Sequence, residues 1–238
     1  MEGWEKGNGI LIPNRLLVTY CLFLSAFLIS ASPDSLSKPV GQLKSEEEGK
    51  FPSDWKKIQG RADIYTVQVE SGNAYLAARA EQSAGMIVTE AKVSPKDFPK
   101  LKWRWRARKF PTGADETGQH GRNDCTASVY VIFDKGFTKY TKDTLRYTWS
   151  GTQNPKGMTL KKKDYLFYII RENRETPLDQ WVEEEVNFAE DYRRLFKKDP
   201  PPVLAIGLQS DGDDSKSSSW ADYDDFVLLP AEKSPATK

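Results

Sequence analysis

The sequence predicts a mostly β protein, an antiparallel β-sandwich with one short helix. Many short segments of the 238-residue chain alternate apolar and polar residues with a period of two, as half-buried strands do. The turns between these segments are rich in Gly, Asn, Asp and Pro, which hairpins and loops require. Many short strands together with one helical segment indicate two antiparallel sheets packed face to face.

Ten segments carry the strand pattern. In chain order they are residues 65–70, 74–80, 86–93, 101–108, 127–133, 144–149, 165–171, 181–187, 203–209 and 226–229. The predicted helix, residues 189–196, has its large apolar residues on one side, and three consecutive prolines after it prevent its continuation. Two long polar loops, residues 110–123 and 210–225, are expected at the sheet ends, where loops often hold a binding site.

Residues 101–108 show the strand pattern most clearly, because Trp103 and Trp105 alternate with Arg104 and Arg106. Both indoles therefore lie on one face of the strand and both guanidinium groups on the other. The indoles either form a platform on which a sugar ring stacks, or fill the core while the arginines pair with acids across the sheet. Large aromatic side chains are mostly buried, so we expect the tryptophans in the core and the arginines on a polar face.

Residues 1–31 are predicted to be a signal peptide or an N-terminal anchor. An apolar run, residues 16–29, follows Arg15, and its length suits a secretory signal better than a membrane span of about 20 residues. Cleavage after Ala31 is one alternative, and an uncleaved anchor, the one membrane contact we expect, is the other. Either way we expect an exported protein that is periplasmic, in the outer envelope or secreted.

The rest of the chain is expected to hold one domain. Residues 32–50 are polar and are predicted to be a linker, residues 51–230 to be the β-sandwich domain, and residues 231–238 to be a disordered tail. If the first 31 residues are removed, Cys125 is the remaining cysteine, so we expect a domain held together by its core and not by an internal disulfide.

Composition excludes several classes of function. The net charge of +1 provides no basic excess for binding nucleic acid. One histidine, His120, and two cysteines exclude most zinc sites and most histidine-based triads. A thiol nucleophile at Cys125 with His120 as its base has no identifiable residue to orient the base, so we expect a buried thiol that begins a strand.

Several motifs follow one another through the chain in a characteristic order. They are WRWR at 103–106, ND at 123–124, ASVYVIF at 127–133, YTWS at 147–150, Trp181 before EVN at 185–187, DY at 191–192, and AIGL at 205–208 before SDGD at 210–213. In this order they resemble the bacterial family known as domain of unknown function 3047, from about residue 55 to residue 226. The resemblance implies an exported bacterial protein with a jelly-roll sandwich similar to galactose-binding-like modules, and it implies no reaction. The family's usual Asp-Thr-Asp-Asn loop reads DGDD at 211–214 here.

The polar face predicted to bind a ligand comprises Arg104, Arg106, Asp124, Tyr130 and Trp149. Arginine and aspartate hydrogen-bond to sugar hydroxyls, and aromatic rings stack on pyranose rings. We therefore expect a non-catalytic module that binds carbohydrate or another envelope glycan. Two alternatives stay open, a glycan hydrolase with paired carboxylates and a structural envelope protein. The carboxylates available to a hydrolase are those of Asp124, Asp134, Asp211, Glu183 and Glu185.

Asp211, Asp213 and Asp214 are candidate ligands of a Ca²⁺ ion, the one cofactor that the sequence suggests. Carboxylates at this density between two strands suit Ca²⁺, which takes several oxygen ligands. Lys216 stands where a helix-loop-helix calcium loop needs glycine, so that motif is not matched. The alternative is a solvated turn in which aspartates cap the backbone.

Overall fold

The computed structural model describes residues 37–117, 122–134 and 142–232 of the chain. The signal peptide or anchor predicted for residues 1–31 lies outside these residues, as do His120 and most of the predicted tail, and these assignments stay predictions. Within the described ranges, no helix is both long enough and apolar enough to cross a membrane.

The described strands form two sheets. Sheet A contains, in spatial order, β11 (Val182–Val186), β6 (Lys100–Lys109), β13 (Ser218–Leu229), β4 (Asn73–Glu81) and β3 (Tyr65–Glu70), with β1 (Lys38–Pro39) paired to β13 outside this order. Sheet B contains β2 (Lys56–Gly60), β5 (Ala84–Val93), β12 (Val203–Asp211), β7 (Cys125–Phe133), β8 (Thr144–Trp149), β10 (Leu166–Glu172) and β9 (Thr159–Lys163). The predicted β-sandwich is confirmed.

Successive strands pass back and forth between the sheets. The chain places β4 in sheet A, β5 in sheet B, β6 in sheet A and β7 in sheet B, which is how a jelly roll is connected. The predicted antiparallel pairing has one exception between the described strands, because β8 and β10 are parallel. After β8 the chain crosses to the sheet edge, forms β9, and returns through a hairpin as β10, which therefore runs in the same direction as β8.

The tryptophans of β6 lie at the centre of the core. Trp103 and Trp105 are fully buried, and their rings meet edge-on at 5.3 Å. Trp105 lies 5.5 Å from Trp149 of β8, and Trp103 lies 5.9 Å from Tyr147, so the prediction that the indoles fill the core is confirmed. Trp149 was predicted to bind ligand, but it is fully buried, because Leu145, Tyr147 and Trp149 share the inward side of β8.

The domain begins earlier than residue 51. Most of the described part of the predicted linker packs on the sandwich: β1 pairs with β13, and Val40 is buried in the core. The Trp55 indole Nε1 donates a hydrogen bond of 3.1 Å to the carbonyl of Gly41. The polar composition of residues 32–50 gave no sign of these contacts, because two apolar side chains, Val40 and Leu43, and backbone pairing are enough to hold the segment.

The helix α1 (Phe188–Phe196) begins one residue before its predicted start. Asn187 caps it, since the Asn187 side chain accepts a hydrogen bond of 3.1 Å from the backbone N–H of Glu190. On its inward side Tyr192 is fully buried and packs against Phe133, with ring centroids 4.5 Å apart. The helix therefore adds aromatic side chains to the core.

The predicted polar loop 210–225 is mostly strand. β12 continues to Asp211 and β13 begins at Ser218, so the connection between them is short. Within β13, Ala221 and Tyr223 belong to the core, while Asp222 and Asp224 face the opposite side. The acidic residues Asp222, Asp224 and Asp225 gave this segment a polar composition that is typical of loops.

Gly41→Ala is expected to destabilise the domain, because an added Cβ would lie 2.4 Å from the Trp55 ring and φ is +59°. Gly49→Ala is the matched control, with φ of +75° and nothing within 4 Å of the added Cβ. In both variants an alanine must adopt the left-handed backbone conformation, which lowers the free energy of unfolding by about 1–2 kcal/mol. Urea denaturation should therefore show an additional loss of about 1–3 kcal/mol for Gly41→Ala alone. Equal losses of unfolding free energy in the two variants would contradict the close packing of Gly41 against Trp55.

Candidate functional site

The five residues predicted to form one ligand-binding face do not lie together. Arg104 and Arg106 are on the outward side of β6 in sheet A, whereas Tyr130 is on the outward side of β7 in sheet B. Trp149 is in the core, and Asp124 precedes β7 in a turn. The predicted common face is therefore wrong, because β6 and β7 are neighbours in the chain but belong to different sheets.

The arginines of sheet A are neutralised by acids on the neighbouring strand. Asp222 is paired in register with Arg106 and Asp224 with Arg104. Arg106 Nε donates to the Asp222 carboxylate at 2.7 Å, and Arg104 Nη2 to the Asp224 carboxylate at 2.6 Å. Both guanidinium groups also cover the ring of Trp181, at 4.5 and 4.6 Å. The interpretation in which the arginines pair with acids across the sheet is confirmed.

The predicted calcium ligands divide into two groups. Ligand atoms of Asp213, Asp214 and Asp124 lie within 4.8 Å of one another, whereas Asp211 is not in this cluster. Asp124 is fully buried, and its carboxylate accepts hydrogen bonds from the backbone N–H groups of Ser215 (2.7 Å) and Asp214 (3.2 Å). Asp124 thus caps the turn between β12 and β13, and Ca²⁺ binding stays a prediction.

A different set of residues forms a row across the outward side of sheet B. Gly207, Tyr130, Arg146 and Tyr168 are direct register partners on β12, β7, β8 and β10. The Arg146 guanidinium carbon lies 5.3 Å from the Tyr130 ring centroid and 4.2 Å from that of Tyr168. The two rings therefore flank a cation, as in a pair of cation–π contacts.

Arg146 is a buried charge whose partners are all neutral. It is 1% exposed. Its Nε donates to the Ser128 hydroxyl at 2.8 Å and its Nη2 to the Cys125 sulfur at 2.6 Å. The remaining nitrogen, Nη1, has no hydrogen-bond acceptor among the described residues. A buried cation normally needs a carboxylate to offset its desolvation.

The sulfur beside Arg146 is a thiol. Burial raises the pKa of Cys125 to about 12, although the positive charge of Arg146 acts in the opposite direction. The thiol therefore stays protonated at neutral pH and is a poor nucleophile. This agrees with the expected buried thiol at the start of a strand, and it means that Cys125 does not neutralise Arg146.

A chain of polar groups extends from Tyr130 to Asp211. The Tyr130 hydroxyl donates to the Gln209 side-chain carbonyl, and Gln209 Nε2 donates to Asp211 Oδ2 at 2.7 Å. The other oxygen, Asp211 Oδ1, is buried without a hydrogen-bond partner. Burial raises the pKa of Asp211 to about 8, although the positive charge of Arg146 acts in the opposite direction, and the negative charges of Asp213 and Asp124 add to the rise. Asp211 is therefore mainly a neutral carboxyl at pH 7.

Lys162 of β9 lies at the far end of the row. Its ammonium group is 5.2 Å from the Tyr168 ring centroid and donates to the backbone carbonyl of Glu116. The Glu116 carboxylate, fully buried, accepts from the backbone N–H of Gly151 at 2.6 Å and so holds this loop in place. Burial and then the charge of Arg146 lower the pKa of Lys162. We call Tyr130, Arg146, Lys162, Tyr168, Gln209 and Asp211 the Arg146 face.

Of the residues in the Arg146 face, Tyr130 is the one that the sequence predicts to bind a ligand. Arg146 stands between Leu145 and Tyr147 in a predicted strand, so its outward position was readable from the alternation. The proximity of Arg146 to Tyr168 cannot be read from the sequence, because β9 separates the strands of these two residues in the chain. Asp211, predicted as a metal ligand or as a hydrolase carboxylate, lies within hydrogen-bond distance of Gln209.

Two cavities differ in the polar groups that are available to a ligand. A cavity of about 430 Å³ beside β1 and β13 includes Asn73 and Asp224 in its lining. Asn73 donates to the Asp224 carboxylate at 2.7 Å, and Arg104 pairs with the same group, so these polar groups are already partnered. A smaller cavity of about 60 Å³ adjoins the Arg146 face, with Gln209 and Met86 in its lining.

Comparison with known proteins gives a family match and distant structural likenesses. Residues 53–227 match the model of the family described as Protein of unknown function (DUF3047). No curated protein matches the sequence of this chain.

Three solved structures resemble the fold weakly. The family 11 carbohydrate-binding module from Clostridium thermocellum, in complex with a beta-1,3-1,4-mixed-linked tetrasaccharide, has a TM-score of 0.41 at 10% identity, over 83% of this chain and 100% of that chain. Endoglucanase cel12A from Rhodothermus marinus has a TM-score of 0.44 at 10% identity, over 82% and 96%. TmCBM61 in complex with beta-1,4-galactotriose has a TM-score of 0.41 at 10% identity, over 81% and 99%. TM-scores below 0.5 at this identity say nothing about what this chain binds.

Asp211→Asn is expected to flatten the pH dependence of stability. The pKa of Asp211 is about 8 in the folded protein and about 3.9 in an unfolded chain. Between these values the folded state keeps a proton that the unfolded state has released, so stability is highest below about pH 4 and falls as the pH rises to about 8. Each unit of pKa difference corresponds to about 1.4 kcal/mol.

Thermal melting of both proteins across this pH range measures the effect. The stability of the wild type should fall more steeply with pH than that of Asp211→Asn. Asp97→Asn, at an exposed position, should keep the wild-type slope. An unchanged slope in Asp211→Asn would contradict a buried carboxyl that is protonated at neutral pH.

Proposed function

Since the chain belongs to the DUF3047 family of proteins of unknown function, we propose a function from its own geometry: the Arg146 face is a non-catalytic surface that binds carbohydrate. The family assignment confirms the resemblance seen in the sequence motifs. It supplies no activity, so the proposal is supported by the residues of the face alone.

The observation that carries the proposal is the row of Tyr130, Arg146 and Tyr168 on the outward side of sheet B. An outward sheet side needs only solvated polar residues. This one instead holds a buried guanidinium between two aromatic rings and leaves Nη1 without an acceptor among the described residues. Desolvated cations are costly, and a ligand that hydrogen-bonds to Nη1 would offset part of that cost.

The chemistry of the face suits sugar hydroxyls, which both donate and accept hydrogen bonds. Arg146 and Lys162 supply donors, whereas Gln209 and Asp211 supply acceptors together with amide and carboxyl donors. Aromatic rings beside such groups are typical of small-molecule sites, because they provide flat apolar surface at a low entropic cost. The small cavity beside Gln209 adds a recess that a single hydroxyl group can enter.

Gln209→Ala is expected to weaken glycan binding about ten-fold, or about 1.4 kcal/mol, because it removes an amide that links Tyr130 to Asp211. A glycan array identifies the ligand, and isothermal titration calorimetry then measures its affinity for each variant. Gln68→Ala, the same substitution on β3 of sheet A, is the matched control and should leave the affinity unchanged. Equal affinity of Gln209→Ala and wild type would place binding elsewhere. A protein that binds no glycan would favour a structural envelope role.

A glycan hydrolase is the second candidate, and Asp211 is the residue that favours it. A carboxyl that is protonated near neutral pH can donate a proton to a leaving glycosidic oxygen. The two glutamates of β11, which the sequence makes available to a hydrolase, do not support hydrolysis in the same way. Glu183 and Glu185 are solvent-exposed and lie 2.9 Å from Lys102 and 3.4 Å from Lys100, respectively.

Incubation of the protein with the glycan that it binds separates the two candidates. A binding module releases no new reducing ends over many hours, and this is the expected result. Reducing ends that accumulate with the wild type and disappear with Asp211→Asn would overturn the non-catalytic role. Asp97→Asn serves as the control for a change of charge away from the face.

A further inference from the structure

We infer that the glycan bound on the Arg146 face carries an acidic group, a carboxylate or a phosphate, that pairs with Arg146 and Lys162. This inference rests on the proposed function and narrows it from carbohydrate in general to anionic carbohydrate. It is based on a difference in pairing between the two most buried arginines of the described residues.

Arg106 and Arg146 are equally well buried but differently paired. Arg106 is 4% exposed and contacts two carboxylates, Asp222 at 2.7 Å and Glu70 at 3.0 Å. Arg146 is 1% exposed, and among the described residues it contacts a hydroxyl, a thiol and two rings, all of them neutral. The same fold therefore neutralises one buried guanidinium and leaves the other without an ion-pair partner among the described residues.

A second cation increases the charge on this face. The ammonium group of Lys162 lies over the same Tyr168 ring as Arg146, and the like charge of Arg146 helps to lower the pKa of Lys162. Two cations close enough to oppose each other's charge are stabilised by an anion between or beside them. The hydrogen-bond acceptor of Lys162 is a backbone carbonyl, which brings no charge of its own.

The nearby acids are engaged in other ways. Asp211 forms no ion pair with Arg146 among the described residues, and its Oδ2 accepts a hydrogen bond from Gln209 at 2.7 Å instead. Glu116 accepts from Gly151 and from the Ser150 hydroxyl with its two carboxylate oxygens, and Asp115 accepts from the backbone N–H of Thr117 at 3.0 Å. Among the described residues no carboxylate forms an ion pair with Arg146 or with Lys162, so an oxyanion of the ligand would accept a hydrogen bond from the unpaired Nη1 of Arg146.

The experiment compares acidic and neutral sugars on the full chain. The probes are trigalacturonate, its methyl ester, a hexose 6-phosphate with the free hexose, and a neutral trisaccharide. Isothermal titration calorimetry at two salt concentrations measures each affinity. We expect at least one acidic probe to bind about ten-fold more tightly than its neutral partner, and added salt to reduce this preference. The galacturonate and phosphate arms identify which oxyanion the face accepts.

Lys162→Gln tests the role of the second cation, and it avoids removing Arg146, whose loss would disturb folding. The variant should lower the ratio of acidic to neutral affinity about three- to ten-fold. Lys163→Gln, the same change at the next residue of β9, is exposed and should leave that ratio unchanged. Arg146→Lys, if folded, should reduce the preference further because a lysine cannot form the planar two-nitrogen contact.

The outcomes separate the inference from the function on which it rests. Neutral and acidic sugars that bind equally well, or a ratio unaffected by Lys162→Gln, would overturn the acidic ligand and leave carbohydrate binding intact. The absence of binding to every sugar, acidic or neutral, would overturn both.

Discussion

The contact between Trp105 and Trp149 joins the two sheets, and much of the remaining arrangement depends on it. Trp105 belongs to β6 of sheet A and Trp149 to β8 of sheet B, with ring centroids 5.5 Å apart in the buried core. Since side chains alternate along a strand, burying these indoles turns Arg106 outward on one sheet and Arg146 outward on the other. A shift of β6 by one residue would bury a guanidinium where the Trp105 indole now lies, and a shift of β8 by one residue would turn Arg146 into the core.

The two outward sheet surfaces that result are electrostatically different. In sheet A, β13 brings Asp222 and Asp224 into register with Arg106 and Arg104, so that its arginines are neutralised within the protein. In sheet B, β7 and β10 bring tyrosines beside Arg146 and no carboxylate reaches it among the described residues. Ion pairs therefore link neighbouring strands in sheet A, whereas the guanidinium of Arg146 in sheet B has no ion pair among the described residues.

The parallel pairing of β10 with β8 makes this second surface possible. Because β10 lies directly beside β8, Tyr168 comes into register with Arg146 and its ring covers the guanidinium at 4.2 Å. The hairpin between β9 and β10 places the ammonium group of Lys162 5.2 Å from the centroid of the same ring. Ring contacts of this kind offset part of the cost of burying a cation, about 2 kcal/mol when desolvated, but they supply no counter-charge.

The amino-acid sequence by itself determined the class of fold, the inward position of Trp103 and Trp105, the helix near residues 189–196 and the family, because alternation, capping and motif order are local properties. The sequence did not reveal that residues 218–225 form a strand, because the acidic residues Asp222, Asp224 and Asp225 give this segment a composition typical of loops. Only the tertiary structure decided that Arg104 and Arg106 meet acids while Arg146 meets tyrosines. The physical reason is that residues on one face come from strands distant in the chain, and their register is set by core packing between the sheets.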